Sequence, residues 1–144
     1  MIYTEVTKKA MKLCYAAHHE QFDKSGIPYV FHPFHLAEQM PDEDCTVVAL
    51  LHDVVEDTSY TLDQIRAMGF SEPVLTALAF LTHDNNTPYL DYVAALKENR
   101  IARIVKLADL RHNSDLSRLD VVTAKDVERV EKYKKAIALL ENEN

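Results

Sequence analysis

The sequence predicts an all-α fold, and three observations carry that reading. Only Gly26 and Gly69 are glycine in 144 residues, and the five prolines are spread widely. Few breakers and abundant Ala, Leu, Lys and Glu favour helix. Apolar residues recur at three- and four-residue intervals over most of the chain, and no stretch alternates in the manner of a half-buried strand. About eight helices are expected in one domain over residues 1–144, a length that allows a hydrophobic core.

Residues 3–22 read as the first helix, with Ala10, Leu13, Cys14 and Ala17 at core spacing. Asp23-Lys-Ser-Gly-Ile-Pro28 breaks it. A short helix is expected over 33–40, and Asp42 can cap the next, over 43–57. Thr61-Leu-Asp-Gln64 resembles a capping box opening a helix that ends near Gly69. Ser71-Glu-Pro73 and Thr87-Pro88 start two more. Residues 100–116 form a long helix with Ile101, Ile104, Val105 and Ala108 inward. Thr123 caps the last, where Val127, Val130, Tyr133, Ile137 and Leu140 make an apolar stripe. Its charged outer face suits solvent or a homo-oligomer contact.

The net charge is −7, which argues against nonspecific binding to nucleic acid or anionic membranes. A small phosphorylated ligand held by local cations or a metal is compatible with it. Cys14 and Cys45 match no disulfide framework or C-x-x-C spacing and read as buried thiols in a reducing compartment. No apolar run approaches the ~18–20 residues of a membrane span, and Met-Ile-Tyr-Thr-Glu at the start is no secretion signal. Cytoplasm is the expected setting.

Residues 49–58, ALLHDVVEDT, place His52, Asp53, Glu56 and Asp57 in an apolar segment. In a continuous helix, residues four apart share a face, so His52 would neighbour Glu56, and Asp53 would neighbour Asp57. Glu56 and Asp57 suit a solvated helix end. His52 and Asp53 do not, because apolar residues bracket them. An unpaired buried carboxylate costs several kcal/mol. A divalent cation or a buried His–Asp hydrogen bond would each resolve the conflict. Two further segments add polar groups to apolar surroundings: Tyr29-Val-Phe-His32-Pro33-Phe-His35 and Lys106-Leu-Ala-Asp109-Leu-Arg-His112-Asn113. Together His32, His52, Asp53 and Asp109 would offer two nitrogen and two carboxylate ligands, leaving positions for water and substrate. His18 and His112 read as supports rather than ligands, His35 could join a second metal although one metal is favoured, and Lys106 is balanced between surface charge and phosphate contact.

This ordered series resembles the HD-domain metal-dependent phosphohydrolases, with their H…HD…D signature. Within them it is most similar to the pyrophosphohydrolase domain of RelA/SpoT-type enzymes and their small relatives. The resemblance covers residues 10–116 and rests on Ala17-His18-x-x-Gln21, Lys24-Ser-Gly-x-Pro-Tyr29, His32-Pro33, Leu51-His-Asp-Val-Val-Glu-Asp-Thr58, Val105-Lys-Leu-Ala-Asp109 and His112-Asn113. It implies an HD-domain helical bundle and a hydrolase that removes the 3′-pyrophosphate of guanosine 3′,5′-bis(diphosphate), ppGpp, with one divalent metal, typically Mn²⁺. It implies His32, His52, Asp53 and Asp109 as metal ligands, and Glu56 and Asp57 as the pair that activates or orients water. Lys24, Ser25 and Asn113 are implied as substrate contacts. The chain ends soon after one domain, so hydrolysis alone is expected.

Three positions depart from the family pattern. Asp23 stands where an arginine usually packs on guanine, Leu110-Arg111 reverses the usual Arg-Leu order, and Leu116 replaces a small hydroxyl residue. Hydrolysis of another nucleotide or phosphorylated metabolite, or alarmone binding without turnover, are the alternatives these departures leave.

Overall fold

The computed structural model describes residues 1–142, so the domain expected over 1–144 is described except for its last two positions. The described residues form α1 (Glu5–His18), α2 (Phe31–Glu38), α3 (Glu43–Leu51), α4 (Val54–Asp57), α5 (Leu62–Ala67), α6 (Glu72–Leu81), α7 (Tyr89–Ala95), α8 (Arg100–Asn113) and α9 (Ala124–Glu141). Two short 3₁₀ turns, Leu96–Glu98 and Leu116–Arg118, precede and follow α8. The one β-type pairing among the described residues is an isolated bridge between Phe22 and Pro28. The all-α expectation is met. No helix among the described residues is long and apolar enough to cross a membrane.

Local chemistry sets most helix starts. Thr4, Asp42, Thr61, Asn99 and Thr123 each accept a backbone N–H of the first turn they precede. Such a cap contributes about 1 kcal/mol. Helix α3 organises the rest, because every residue from Cys45 to Leu51 is buried. A helix apolar on all sides belongs inside a core, and α1, α2, α6 and α8 surround it. Truncating Leu50 or Leu51 to alanine would cost about 2–5 kcal/mol.

Four sequence expectations are corrected. Helix α1 ends at His18 rather than residue 22. The chain there folds back, with Asp23 N–H donating to Ile27 O and Tyr29 N–H to Gln21 O, both at 2.8 Å, and Gly26 supplying φ 78°. The helix expected over 43–57 is interrupted: α3 stops at Leu51 and α4 begins at Val54, with His52 and Asp53 in the turn between. Helix α8 stops at Asn113, where Ser114 N–H closes on Leu110 O. Val127, expected inward on α9, is 47% exposed; its neighbour Asp126 faces inward as the capping carboxylate and turns Val127 away.

Candidate metal centre and nucleotide cavity

Three buried elements bring the four expected ligands together. His32 is the second residue of α2, His52 and Asp53 occupy the α3–α4 interruption, and Asp109 lies on α8. One ligand atom from each lies within 4.8 Å of all the others. His32 Nε2 is 2.8 Å from Asp109 Oδ1, and His52 Nε2 is 3.0 Å from Asp53 Oδ2 and 3.5 Å from Asp109 Oδ1.

The donor set fits a divalent cation. His52 Nδ1–H donates to Ala49 O at 2.6 Å, which leaves Nε2 as the nitrogen that faces the cluster. That Nε2 is buried and has no well-directed hydrogen bond, although two carboxylates surround it. Mixed imidazole and carboxylate ligands suit several divalent ions. The electrostatics agree. Burial opposes ionisation of Asp109, yet Lys106, His32 and His52 hold its carboxyl well below the usual range. Burial likewise opposes charge on Asp53 and His52, but their mutual attraction lowers the first and raises the second.

Several residues that support this cluster were not singled out as site residues from sequence. The Tyr29 hydroxyl donates to Asp53 Oδ2. Lys106 Nζ lies 3.0 Å from Asp109 Oδ2 and is largely buried. Tyr29 stands in the Lys24-Ser-Gly-x-Pro-Tyr29 motif and Lys106 is balanced on sequence between surface charge and phosphate contact, but neither contact with a cluster carboxylate is expected from sequence. His112 supports, as expected: its Nδ1 is 2.7 Å from His32 Nδ1 with the rings stacked. Burial, followed by the Arg118 charge, pushes His112 down to about 4. A neutral His112 can accept the His32 Nδ1–H and leave Nε2 of His32 toward the cluster. His35 stands outside the cluster against His112, with ring centres 4.2 Å apart.

The acidic pair sits beside the centre on α4. Glu56 Oε1 accepts the His83 backbone N–H, which ties it to the 82–87 loop. Asp57 is raised to about 6 by burial, then by the Asp53 and Glu56 charges. The interruption at 52–53 overturns the idea that these groups form two rows on one continuous helix face.

A cavity of about 410 Å³ is lined by Lys24, Tyr29, Asn113, Arg118, Arg129 and Tyr133, among others, and reaches the cluster through Tyr29 and Asn113, which bond Asp53 and Asp109. Asn113 Nδ2 donates to Asp109 Oδ1 at 3.0 Å, so this amide links the cavity and the His/Asp cluster. Lys24 and Arg129 share the buried Asp126 carboxylate at 3.3 and 2.6 Å. Ser25 lies outside this lining: its hydroxyl donates to Arg118 O at 2.9 Å and accepts Asp120 N–H at 3.1 Å. Asp23 Oδ1 accepts the N–H groups of Ser25 and Ile27 at 2.8 and 3.0 Å, so it shapes its own loop. Arg111 pairs with Glu141 on α9, Arg100 with Asp42, and Leu116 lies in a 3₁₀ turn.

No protein-family model matches the chain. It is 36% identical over 123 residues to the mouse (Mus musculus) guanosine-3′,5′-bis(diphosphate) 3′-pyrophosphohydrolase MESH1, covering 77% of this chain and 68% of that protein. It is 34% identical over 121 residues to the Borreliella burgdorferi guanosine-3′,5′-bis(diphosphate) 3′-pyrophosphohydrolase, and 31% over 145 residues to that of Aquifex aeolicus. These matches cover 73% and 92% of this chain, but the chain spans only 18% and 20% of those longer relatives. A solved structure described as a metazoan ortholog of SpoT that hydrolyzes ppGpp has the same fold. It superposes with a TM-score of 0.78 at 23% identity, over 100% of this chain and 90% of its own. With the ordered ligand series, the matching fold and a mouse relative aligned over two thirds of its length, the chain belongs to the HD-type guanosine-3′,5′-bis(diphosphate) 3′-pyrophosphohydrolase family.

Proposed function

We propose that the chain is a metal-dependent hydrolase that removes the 3′-pyrophosphate of ppGpp, with Mn²⁺ held by His32, His52, Asp53 and Asp109. The observation that carries the reading is the buried His52 Nε2, which has no well-directed hydrogen bond and is faced by two carboxylates. The relatives' named activity supplies the substrate class. A bound divalent metal lowers the pKa of a coordinated water and withdraws charge from the phosphorus–oxygen bond.

The chain's own residues do the rest. Asp57, raised to about 6, is poised to accept a proton from water near neutral pH. Glu56, tied to His83 N–H, fixes the neighbouring edge of the site. Asn113 bridges Asp109 and the cavity and offers an amide to the nucleotide. Lys24 and Arg129 present cations for phosphate oxygens, and Tyr29 and Tyr133 present rings for a base. Ser25 contributes by latching the Lys24 loop to residues 118–120. A cytoplasmic setting is proposed too: Cys14 and Cys45 are free and buried, and burial pushes each thiol up to about 12.

Asp23 favours a second reading, a different nucleotide or phosphorylated metabolite, because its carboxylate stands on the cavity wall within 3.9 Å of Arg118. A Mn²⁺-supplemented screen against nucleotide 3′- and 5′-polyphosphates tests both. Release of intact pyrophosphate from a 3′ position supports ppGpp hydrolysis. Single phosphates from simpler esters favour the second reading, and tight alarmone binding without products would leave only a binding module.

A further inference from the structure

His18, the last residue of α1, is fully buried yet its Nε2 has no hydrogen-bond partner among the described residues. Its protonation pattern follows from a chain of contacts. Gln21 reaches the backbone carbonyl of Asp57 at 3.0 Å, and only its amide nitrogen can donate there. The other end of that amide, Oε1, therefore faces His18 Nδ1 at 2.8 Å. An acceptor on Gln21 requires the proton on Nδ1. With the ring neutral, Nε2 is a bare lone pair.

Such a lone pair in a buried position costs about 1–3 kcal/mol unless a donor satisfies it. The groups around it supply none. Tyr29, whose ring centre is 5.1 Å away, gives its hydroxyl proton to Asp53. Asp53, His52 and His32 are close enough to influence His18 electrostatically, which places it beside the cluster. The remaining donor that fits beside a metal-ligand cluster is water, which can offer two protons while its oxygen binds a cation.

We infer that His18 Nε2 accepts a hydrogen bond from a water on the metal, orienting that water through a relay that runs from Asp57 O through Gln21. The inference rests on the metal-site reading above. In it, His18 takes one water proton as a hydrogen bond, which leaves the second directed elsewhere, to the acidic pair on α4. The same relay anchors the end of α4 to the end of α1, so the water's acceptor and the Asp57 backbone move together.

Two substitutions separate the two ring nitrogens. His18→Asn keeps a donor near the Nδ1 position for Gln21 but removes the Nε2 acceptor. His18→Gln places an amide near the Nε2 position and can restore it. Mn²⁺-loaded wild type and both variants would be compared by pulsed electron paramagnetic resonance, with Mn²⁺ affinity and turnover measured alongside. Two nitrogen couplings, from His32 and His52, are expected in all three proteins. The exchangeable water-proton couplings should broaden in His18→Asn and sharpen again in His18→Gln. With KM unchanged, kcat should fall about 10- to 100-fold in His18→Asn. A third nitrogen coupling that disappears in His18→Asn would make His18 a direct ligand and overturn the inference. Unchanged water-proton couplings in His18→Asn would overturn it as well. The couplings are recorded without substrate, so they test His18 independently of whether ppGpp is turned over.

Discussion

Lys106 Nζ contacts Asp109 Oδ2 at 3.0 Å, while His32 and Asn113 both engage the other oxygen, Oδ1. The carboxylate is thus divided between a structural cation and the ligand cluster. Removing the lysine charge leaves a buried carboxylate short of a partner, a change that typically costs about 3–5 kcal/mol. Lys106→Met should therefore melt early without metal and recover on Mn²⁺ addition, because a bound cation replaces the lost charge. The metal-induced rise in Tm should exceed that of wild type. Equal rises in both proteins would show that Lys106 does not share its carboxylate with the metal.

Asp53→Ala and Asp109→Ala should lose metal and turnover together. Elemental analysis of protein purified without chelator, paired with a hydrolysis assay, checks this. Full metal-dependent turnover in either variant would remove the proposed site.

Tyr29→Phe deletes only the hydroxyl that holds Asp53. The ring still packs between His18 and His32, so the fold should persist. Loss of such an outer contact to a ligand carboxylate costs about 10- to 100-fold in metal affinity or activity. Titration of Mn²⁺ by calorimetry would show it, and wild-type affinity with wild-type kcat would refute it.

Asp57 has a folded-state pKa raised from 3.8 to about 6. Its stabilising contribution is fully present below about 3.8 and is lost as pH rises through 6. Asp57→Asn should raise the Tm of metal-free protein above pH 6 but not below 4, while turnover falls by about 10²–10⁴. Solvent screens this half-exposed group, so the gain should be about 2–4 °C. Paired melts at pH 4 and 7.5 decide it.

Asp23→Ala removes the acceptor for two loop N–H groups, and Asp23→Asn keeps Oδ1 in place. At about 0.5–1.5 kcal/mol per hydrogen bond, KM should rise about 3- to 10-fold in the alanine variant alone. Steady-state kinetics distinguish the two. Equal effects would shift the role of Asp23 from shaping its loop to its charge opposite Arg118.

The His/Asp cluster was legible because charge in an apolar run is expensive, and His52, Asp53 and Asp109 stand in such runs. Caps at Asp42, Thr61 and Thr123 were legible because their short polar side chains precede apolar periodicity. The interruption after Leu51 was not. No Gly or Pro marks it, and the compensating bond from His52 Nδ1 to Ala49 O is itself a product of the fold. Tyr29 and Lys106 stood in the motifs, but their contacts with Asp53 and Asp109 did not show there, because only burial turns those contacts into site chemistry. The commitment of Asp23 to its own backbone also needed the folded loop to become visible.

Helix α3 is buried on every side from Cys45 to Leu51 and delivers His52 and Asp53 at its end. Sequence drift has almost no foothold there, since any change of volume disturbs four neighbouring helices. The loop over residues 22–28 and the outer turns of α9 are open to change by comparison. Substitutions would therefore reshape the cavity well before they disturb the His/Asp cluster.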